Sequence, residues 1–395
     1  RFETNSQFAA VNPSFTVDAD LTYRQPLLRD FGRVSTERNI MVARNTIGAS
    51  QETFEERVTG VIRTVAQNYW NLVEAREQLG VAEESLRLAK ELHEQNKIKV
   101  EVGTLAPLEL VQSEAGVATR TDELIRAQIG VGNAEDDLRQ VLNIPDGELW
   151  DVDILPRTPP DITRIEIDTA EAVSQSLRER PELVRKRIQN ENLAIDLQLA
   201  KNRVRPRLDF AATYGFNGLG GDVTLRDFIT GEIISTAPGN YGDALDQISE
   251  TDFDGWSYAL NLSVPVQNRE AKARRAIAEI AVERAETELG QLELQVSTEV
   301  RKAARAVVTA EALVDSTRVS RRLEEENLRA EQKRYENGMS TSFQVLQIQE
   351  DLAQARSAAV RAEAGYRKAL IDFYRAIGTL PEAAGVEIET ETESE

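Results

Sequence analysis

The chain has 395 residues, of which 47 are Lys or Arg and 67 are Asp or Glu, giving a net charge of −20. This acidic balance argues against general nucleic-acid binding, because phosphate backbones are bound by clustered positive charge. Charged residues make up 29% of the chain, and no apolar run approaches the roughly 20 residues of a spanning helix, which excludes a polytopic helical membrane protein. The lack of cysteine and the single histidine exclude disulfides, thiolate metal sites and multi-histidine metal sites.

The first predicted element is a strand over residues 15–25. Its apolar residues occupy every second position and are Phe15, Val17, Ala19, Leu21 and Tyr23. A period of two is typical of a strand with one apolar face, and about ten residues is the length of a tilted strand that crosses a bilayer. The alternative is a soluble hairpin with one buried face. Pro26 marks the junction with the next element, because proline cannot donate to a strand ladder.

A proline-free segment then predicts a long helix over residues 29–102. Its apolar residues recur at steps of three, four and seven, as at Val58, Ile62, Val65, Tyr69, Leu72, Leu79 and Leu86. This is heptad spacing, so one face of the helix is an apolar seam. At about 1.5 Å per residue the helix would be on the order of 100 Å long, so we expect a bundle, a tube or a rod. A glycine turn leads into a return helix over 107–143.

Residues 144–168 contain four prolines and alternating isoleucines, and they predict a connector with room for one short strand. The alternating residues are Ile154, Ile162, Ile165 and Ile167.

Residues 169–378 predict a second series of elements. These are helices over 169–204, strands over 207–216 and 256–266, a long helix over 268–337 and a return helix over 341–377. The long helix again has heptad spacing, at Leu289, Leu292, Val296, Val300, Ala303, Val307, Ala310 and Val314. Pro206 and Pro265 mark strand–helix junctions. Residues 217–255 are rich in Gly, Asp and Thr and predict an exposed loop, with Gly218-Leu219-Gly220-Gly221 as its flexible tip. The acidic tail over 379–395 is predicted to be disordered.

Aromatic residues gather at one end of the second pair of strands. They are Tyr214, Phe216, Trp256 and Tyr258. Aromatic side chains near the ends of bilayer-length strands are typical of an interfacial girdle in a membrane barrel. The three alternating strands therefore favour a membrane β-barrel over a soluble hairpin, although each strand alone is a weak signal.

The chain is an internal duplication. Gly103 and Gly338 lie 235 residues apart, and each ends a long helix before a return helix. The first repeat is expected over 1–143 and the second over 169–378. By this pattern a helix and a strand should precede Arg1, so that a complete protomer holds four strands. Four strands cannot close a membrane barrel, and an open edge in lipid is forbidden, so copies of the chain must complete it.

In this order and spacing the chain resembles the TolC-like outer-membrane channels of drug-efflux and type I secretion systems. The resemblance covers nearly the whole chain and is carried by Leu21-Thr22-Tyr23-Arg24-Gln25-Pro26-Leu27-Leu28, Arg180-Pro181-Glu182-Leu183, Arg205-Pro206-Arg207-Leu208 and Tyr335-Glu336-Asn337-Gly338-Met339-Ser340. It implies a homotrimer with a twelve-stranded β-barrel in the outer membrane, continuous with an α-helical coiled-coil barrel in the periplasm. It also implies docking of a periplasmic adaptor protein and an inner-membrane pump as the energy source.

The resemblance assigns roles to the helix ends. The two turns that would contact the adaptor are Val102, Gly103 and Thr104, and Asn337, Gly338, Met339 and Ser340. The plain role of both glycines is a helix cap. The expected entrance or gate residues are Glu109, Gln112, Gln344, Gln347, Glu350 and Asp351. Gln344 and Gln347 are uncharged where some members carry paired aspartates, which argues against an acidic ring there. Glu350 and Asp351 could substitute, although a solvated helix face is the plainer interpretation.

No catalytic constellation or cofactor motif is visible, and His93 on a helix is more often a surface residue than a ligand. The sequence therefore predicts a passive channel that is gated at the helix ends over 98–112 and 333–351. The alternative is a coiled-coil scaffold without a pore. The cargo stays open, since drug, metal-ion, polypeptide and siderophore channels share this architecture.

Overall fold

The computed structural model describes residues 1–6, 9–145, 147, 150, 152–158, 162, 164–227 and 229–388. Within them the chain forms four strands and eight helices. The strands are β1 (Val11–Pro26), β2 (Arg207–Arg226), β3 (Ile233–Ala237) and β4 (Asp254–Ser263). The helices are α1 (Arg33–Glu101), α2 (Pro107–Val141), α3 (Thr169–Glu179), α4 (Pro181–Arg203), α5 (Tyr241–Ser249), α6 (Arg269–Glu336), α7 (Ser342–Ile377) and α8 (Leu380–Ala383).

Two compact units make up the chain. The first comprises Arg1–Asn45 and Asn190–Glu286 and contains all four strands, and the second comprises the remaining residues. Each unit draws on both halves of the sequence, so the units do not coincide with the two predicted repeats. The repeat boundaries over 1–143 and 169–378 stay predictions.

The first unit is organised by an antiparallel sheet with β2 at its centre. β1 pairs with one edge of β2, and β4 pairs with the other edge, so that Tyr214 lies between Leu21 and Trp256. The register between β1 and β2 is uninterrupted from Ser14 opposite Gly221 to Pro26 opposite Asp209. Alternate residues therefore keep to one face over the whole length, as the period of two predicts.

The segment over 217–255 is not the loop that the sequence predicted. β2 continues to Arg226, β3 pairs with its far end, and α5 packs on the sheet. The glycines allow this packing because they lack a side chain. A Cβ atom on Gly218 would lie 2.0 Å from the Ala244 carbonyl oxygen. One on Gly220 would lie 2.1 Å from the Asn240 carbonyl oxygen. The glycine run is a docking surface for a helix and not a flexible tip.

The second unit is organised by long helices whose seams are buried. The predicted heptad residues of α6 form one core cluster with α7, in which Val296, Val300, Val307 and Val314 contact Tyr366 and its neighbours. In α1 the predicted seam joins two other clusters, one through Tyr69 and one through Leu72. Leu92, further along α1, joins a third cluster. The helices predicted over 169–204 are α3 and α4, which meet at Arg180; this residue is extended because Pro181 follows it.

The connector contains no strand among its described residues, so the prediction of a short strand is wrong for them. Ile154 packs beside the Leu72 cluster, and Ile162, Ile165 and Ile167 pack against the Val296 cluster. The alternation serves contact with helices and not a strand ladder.

The C-terminal tail is more ordered at its start than the sequence predicted. Leu380 in α8 is buried against Trp70, Val73 and Ile371, while residues 389–395 lie outside the described residues.

We expect Gly218→Ala to displace α5, because the added methyl group would overlap the Ala244 carbonyl group. Overpacking of this kind costs about 1–3 kcal/mol. The measurement is limited proteolysis of the segment around α5, combined with thermal unfolding in detergent. Gly255→Ala in β4 is the control, since a Cβ atom there meets nothing within 4 Å. Equal protease resistance of the two variants would contradict the packing described.

Candidate functional site

One face of the sheet is apolar and exposed. The residues that share it are Phe15, Val17, Ala19, Leu21 and Tyr23 of β1, Leu208, Phe210, Ala212, Tyr214 and Phe216 of β2, and Trp256, Tyr258, Leu260 and Leu262 of β4. Leu21 is 74% exposed, Trp256 70% and Leu260 67%. So large an apolar surface is not left in water by a soluble protein, and it marks a contact with lipid or with another chain.

The opposite face of the sheet is polar. Thr22 and Thr213 lie side by side with their hydroxyl oxygens 3.2 Å apart, and Asp20 lies against Gly215. Apolar residues on one face and polar residues on the other are the pattern of a membrane barrel whose lumen holds water.

The four predicted girdle residues come together on the apolar face. The Tyr214 and Phe216 rings are 4.8 Å apart, and the Trp256 and Tyr258 rings are 5.1 Å apart. The Tyr214 hydroxyl donates to the Asp254 carboxylate at 2.9 Å. The four rings thus lie on the apolar face, and the Tyr214 hydroxyl has a polar partner beside it, as at a membrane interface.

In the described part of the chain, β1 and β4 each pair along one edge. Apart from Ser14 of β1, which forms a bridge with Phe2, the other edge of each strand therefore carries backbone donors and acceptors unpaired within these residues. Such edges are templates for further strands, and in lipid they must be paired.

The predicted prolines lie at the three strand–helix junctions. Pro26 ends β1, Pro206 stands between α4 and β2, and Pro265 follows β4. The junctions are tied together by the Leu27 amide, which donates to the Leu208 carbonyl at 2.7 Å, and by the Arg29 amide, which donates to the Pro206 carbonyl at 3.2 Å.

Sequence reasoning missed two residues that reverse the backbone at these junctions. Asp30 and Asn268 adopt left-handed conformations with φ of 64° and 44°, which Asp and Asn tolerate better than most residues. The Asn268 amide donates to the Val204 carbonyl at 2.9 Å, and the Asp30 backbone amide donates to Asn202 at 2.6 Å. The signal available in the sequence was an Asp or Asn three or four residues after Pro26 and Pro265.

Both long helices end in the same backbone motif. Gly103 and Gly338 are left-handed, with φ of 76° and 71°. In each turn the glycine amide and the next amide donate back into the last helical turn, as when Thr104 donates to Lys99 and Met339 to Arg334, both at 2.8 Å. This is the Schellman arrangement, and it confirms the helix-cap role of both glycines. It leaves Val102 67% exposed and Met339 64% exposed at the tips of the turns.

Behind the turns, a buried polar network links the two helical hairpins. The Tyr335 hydroxyl of α6 donates to Asn96 of α1, and the Asn96 amide donates to the Glu109 carbonyl at 3.4 Å. The Ser342 hydroxyl of α7 donates to the Glu109 carboxylate of α2. Asn96 and Ser342 are fully buried. Burial, with a smaller contribution from the Glu109 carboxylate, raises the pKa of Tyr335, so its hydroxyl remains a donor at neutral pH.

Of the six predicted gate residues, Glu109 belongs to this network. Gln347 donates to Asp351 at 3.2 Å, so these two bond within one helix. Gln344 is exposed, and its backbone amide donates to the Thr341 cap. The half-buried Gln112 has a side-chain carbonyl oxygen without a partner among the described residues.

Glu350 does not lie on the solvated helix face that the sequence favoured. It pairs with Arg120 of α2, which is 6% exposed and also pairs with Glu123 at 2.9 Å. The buried cation draws Glu350 inward, because a buried guanidinium requires partners. Sequence reasoning missed Arg120, Asn96 and Ser342. Asn96 was detectable, since Ala89, Leu92 and Asn96 continue the steps of three and four.

Among the described residues, no group of three or more acidic or histidine side chains could hold a metal ion. His93 is half-buried, and its Nδ1 lies 3.0 Å from the Ser113 hydroxyl. Across the same described residues, no helix is both long enough and apolar enough to pass through a bilayer.

The sequence matches the outer membrane efflux protein family over residues 4–143 and 172–379. The chain belongs to this family. The comparison with curated proteins gave no match.

Solved outer-membrane channels share the fold. The CmeC channel of Campylobacter jejuni is 16% identical, with a TM-score of 0.66 over 95% of this chain and 79% of that one. VceC of Vibrio cholerae is 14% identical, with a TM-score of 0.66 over 92% of this chain and 87% of that one. The open state of MtrE of Neisseria gonorrhoeae is 17% identical, with a TM-score of 0.65 over 93% and 81%.

These comparisons confirm the predicted family and the predicted fold class, a mostly helical channel chain with a small antiparallel sheet and an internal duplication. The family is one of efflux channels of the outer membrane and not of enzymes, so the chain is an outer-membrane efflux channel protein.

Proposed function

We propose that the chain forms the homotrimeric exit duct of a tripartite efflux or type I secretion system. Three copies would close a twelve-stranded barrel in the outer membrane, and their helices would form a tube that extends into the periplasm. The observation that carries the proposal is the exposed apolar face of the sheet, bounded by two open edges. A lipid-facing sheet needs both edges paired, and copies of the same chain are the simplest source of strands.

The cargo would cross the duct passively. The polar face of the sheet would line the lumen, where Thr22 and Thr213 present hydroxyl groups to water. No step in this mechanism requires a catalytic residue or a bound cofactor, and an inner-membrane pump would supply the energy.

The turns at Gly103 and Gly338 would be the docking points for a periplasmic adaptor protein. The Schellman motif fixes the backbone of each turn and projects Val102 and Met339 outward. A rigid turn that presents an exposed apolar side chain is a suitable contact for another protein, because little entropy is lost on binding.

The network behind the turns would hold the helical hairpins in their resting arrangement. Tyr335, Asn96, Glu109 and Ser342 come from four different helices, so their hydrogen bonds resist separation of α1 and α2 from α6 and α7. Because these groups are buried, the network can open only if each finds a new partner, which adaptor docking or water entry would supply.

The first test is the assembly. Protein from the outer-membrane fraction should require detergent for extraction, should run as a trimer, and should give stepwise conductance in planar bilayers. These results follow from the apolar sheet face and the open strand edges. Recovery of a monomer from the soluble fraction without detergent would favour the coiled-coil scaffold instead.

The second test concerns the gate. Tyr335→Phe leaves the buried Asn96 without its donor, and Ser342→Ala does the same to the half-buried Glu109 carboxylate. Each loss costs up to about 1–3 kcal/mol, or about 5- to 150-fold in an equilibrium constant. We expect higher open probability in planar bilayers and greater entry of large antibiotics into cells. Thr119→Ala is the control, because its hydroxyl donates to the Ala115 carbonyl in its own helix. If both variants conduct like the unmodified channel, the proposal that this network holds the channel closed is contradicted.

The third test separates backbone strain from adaptor contact at the turn. The test compares Gly338→Asp with Gly338→Asn. The Asp and Asn side chains have similar size, and both residues tolerate the left-handed conformation. The charged variant should lose export because the charge faces an apolar contact, whereas the neutral variant should retain most of it. Trimer content is measured in parallel. Normal export by the aspartate variant would rule out a docking role for this turn.

A further inference from the structure

Helix α5 packs on the same face of the sheet as the aromatic girdle. Gly218 and Gly220 are even-numbered positions of β2, like Tyr214 and Phe216, and the register between them is uninterrupted. The Cβ positions of both glycines point at the α5 backbone. Because alternate residues of a strand share one face, α5 lies on the apolar side of the sheet, beyond the girdle.

Specific contacts fix α5 in this place. The Gln247 side chain accepts from the Leu219 amide at 2.9 Å and donates to the Leu219 carbonyl at 3.0 Å. The Tyr241 ring meets the Phe15 ring edge-on, with the centroids 6.1 Å apart. Ala244 is fully buried against the strand. The helix is therefore a built part of the sheet surface and not a passing loop.

The free side of α5 is amphipathic. Tyr241 is 50% exposed and Leu245 is 43% exposed, and their spacing of four residues places both on one side of the helix. Asp246 and Glu250 are exposed polar neighbours. A helix with an apolar side next to a polar side is suited to a boundary between lipid and water.

The position of α5 along β2 matches the boundary between the lipid and the water. Gly218 lies two residues beyond Phe216, the outermost girdle residue of β2, which is about 7 Å along the strand and about 5 Å along the bilayer normal for a strand tilted by about 40°. Girdle aromatics occupy the edge of the hydrocarbon core, and the headgroup layer extends about 5–8 Å further.

We propose that α5 rests in the headgroup layer of the outer leaflet, with Tyr241 and Leu245 turned toward the lipid. The proposal rests on the proposed function, in which the apolar sheet face contacts the bilayer. It adds a second contact with the lipid surface, outside the strands, which would fix the depth of the barrel in the membrane.

The test uses the lack of cysteine in the chain, because a single introduced cysteine takes a fluorescent bimane label without competition. Three labelled variants of the full chain are reconstituted in phosphatidylcholine vesicles. Leu245→Cys reports on α5, Leu260→Cys on the middle of the apolar sheet face, and Ser235→Cys on the exposed strand β3. The vesicles carry a nitroxide either on the lipid headgroup or deep in the acyl chain.

We expect the label at residue 245 to show blue-shifted emission and quenching by the headgroup nitroxide. The label at 260 should be quenched by the deep nitroxide, and the label at 235 by iodide in the water. If 260 responds as expected but 245 behaves like 235, the inference about α5 is overturned and the lipid-facing sheet stands. If 260 is also accessible only to iodide, the lipid-facing sheet itself is wrong.

Discussion

The uninterrupted register of β1, β2 and β4 is the constraint on which the first unit depends. A slip of β4 by one residue would move Trp256 and Leu260 to the polar face and would bring Ser257 and Asn261 to the apolar one. The same register places Gly218 and Gly220 under α5. The apolar face and the position of α5 on it are therefore both consequences of the strand register.

The sequence predicted what depends on local spacing. Alternation identified the three long strands, and heptad steps identified α1 and α6, because these periods follow from the geometry of a single element. The glycine caps were also predictable, since Gly103 and Gly338 each follow a long helix and have a Ser or Thr within the next two residues. In these places local preference and tertiary packing agree, which is typical of a consistent fold.

The features that the sequence did not predict depend on contacts between residues that are distant in sequence. Gly218-Leu219-Gly220-Gly221 carries the composition of a loop, and its place in a strand becomes evident only when α5 covers it. Arg120 and Glu350 are 230 residues apart, and nothing in either segment indicates that they pair. The isoleucines of the connector have the period of a strand but pack on helices, because a period constrains which side chains share a face and not what covers them.

The two duplicated turns differ in how the helix that follows each of them begins. Gly103 and Gly338 have nearly the same backbone, but the helices that follow begin differently. α2 begins with Pro107 and no side-chain cap, whereas α7 is capped by Thr341 and held by the bond of Ser342 to Glu109. A proline start is fixed by its own ring, while the start of α7 depends on α2. The bond between Ser342 and Glu109 joins the first turns of α7 and α2, so the start of each return helix is coupled to the start of the other.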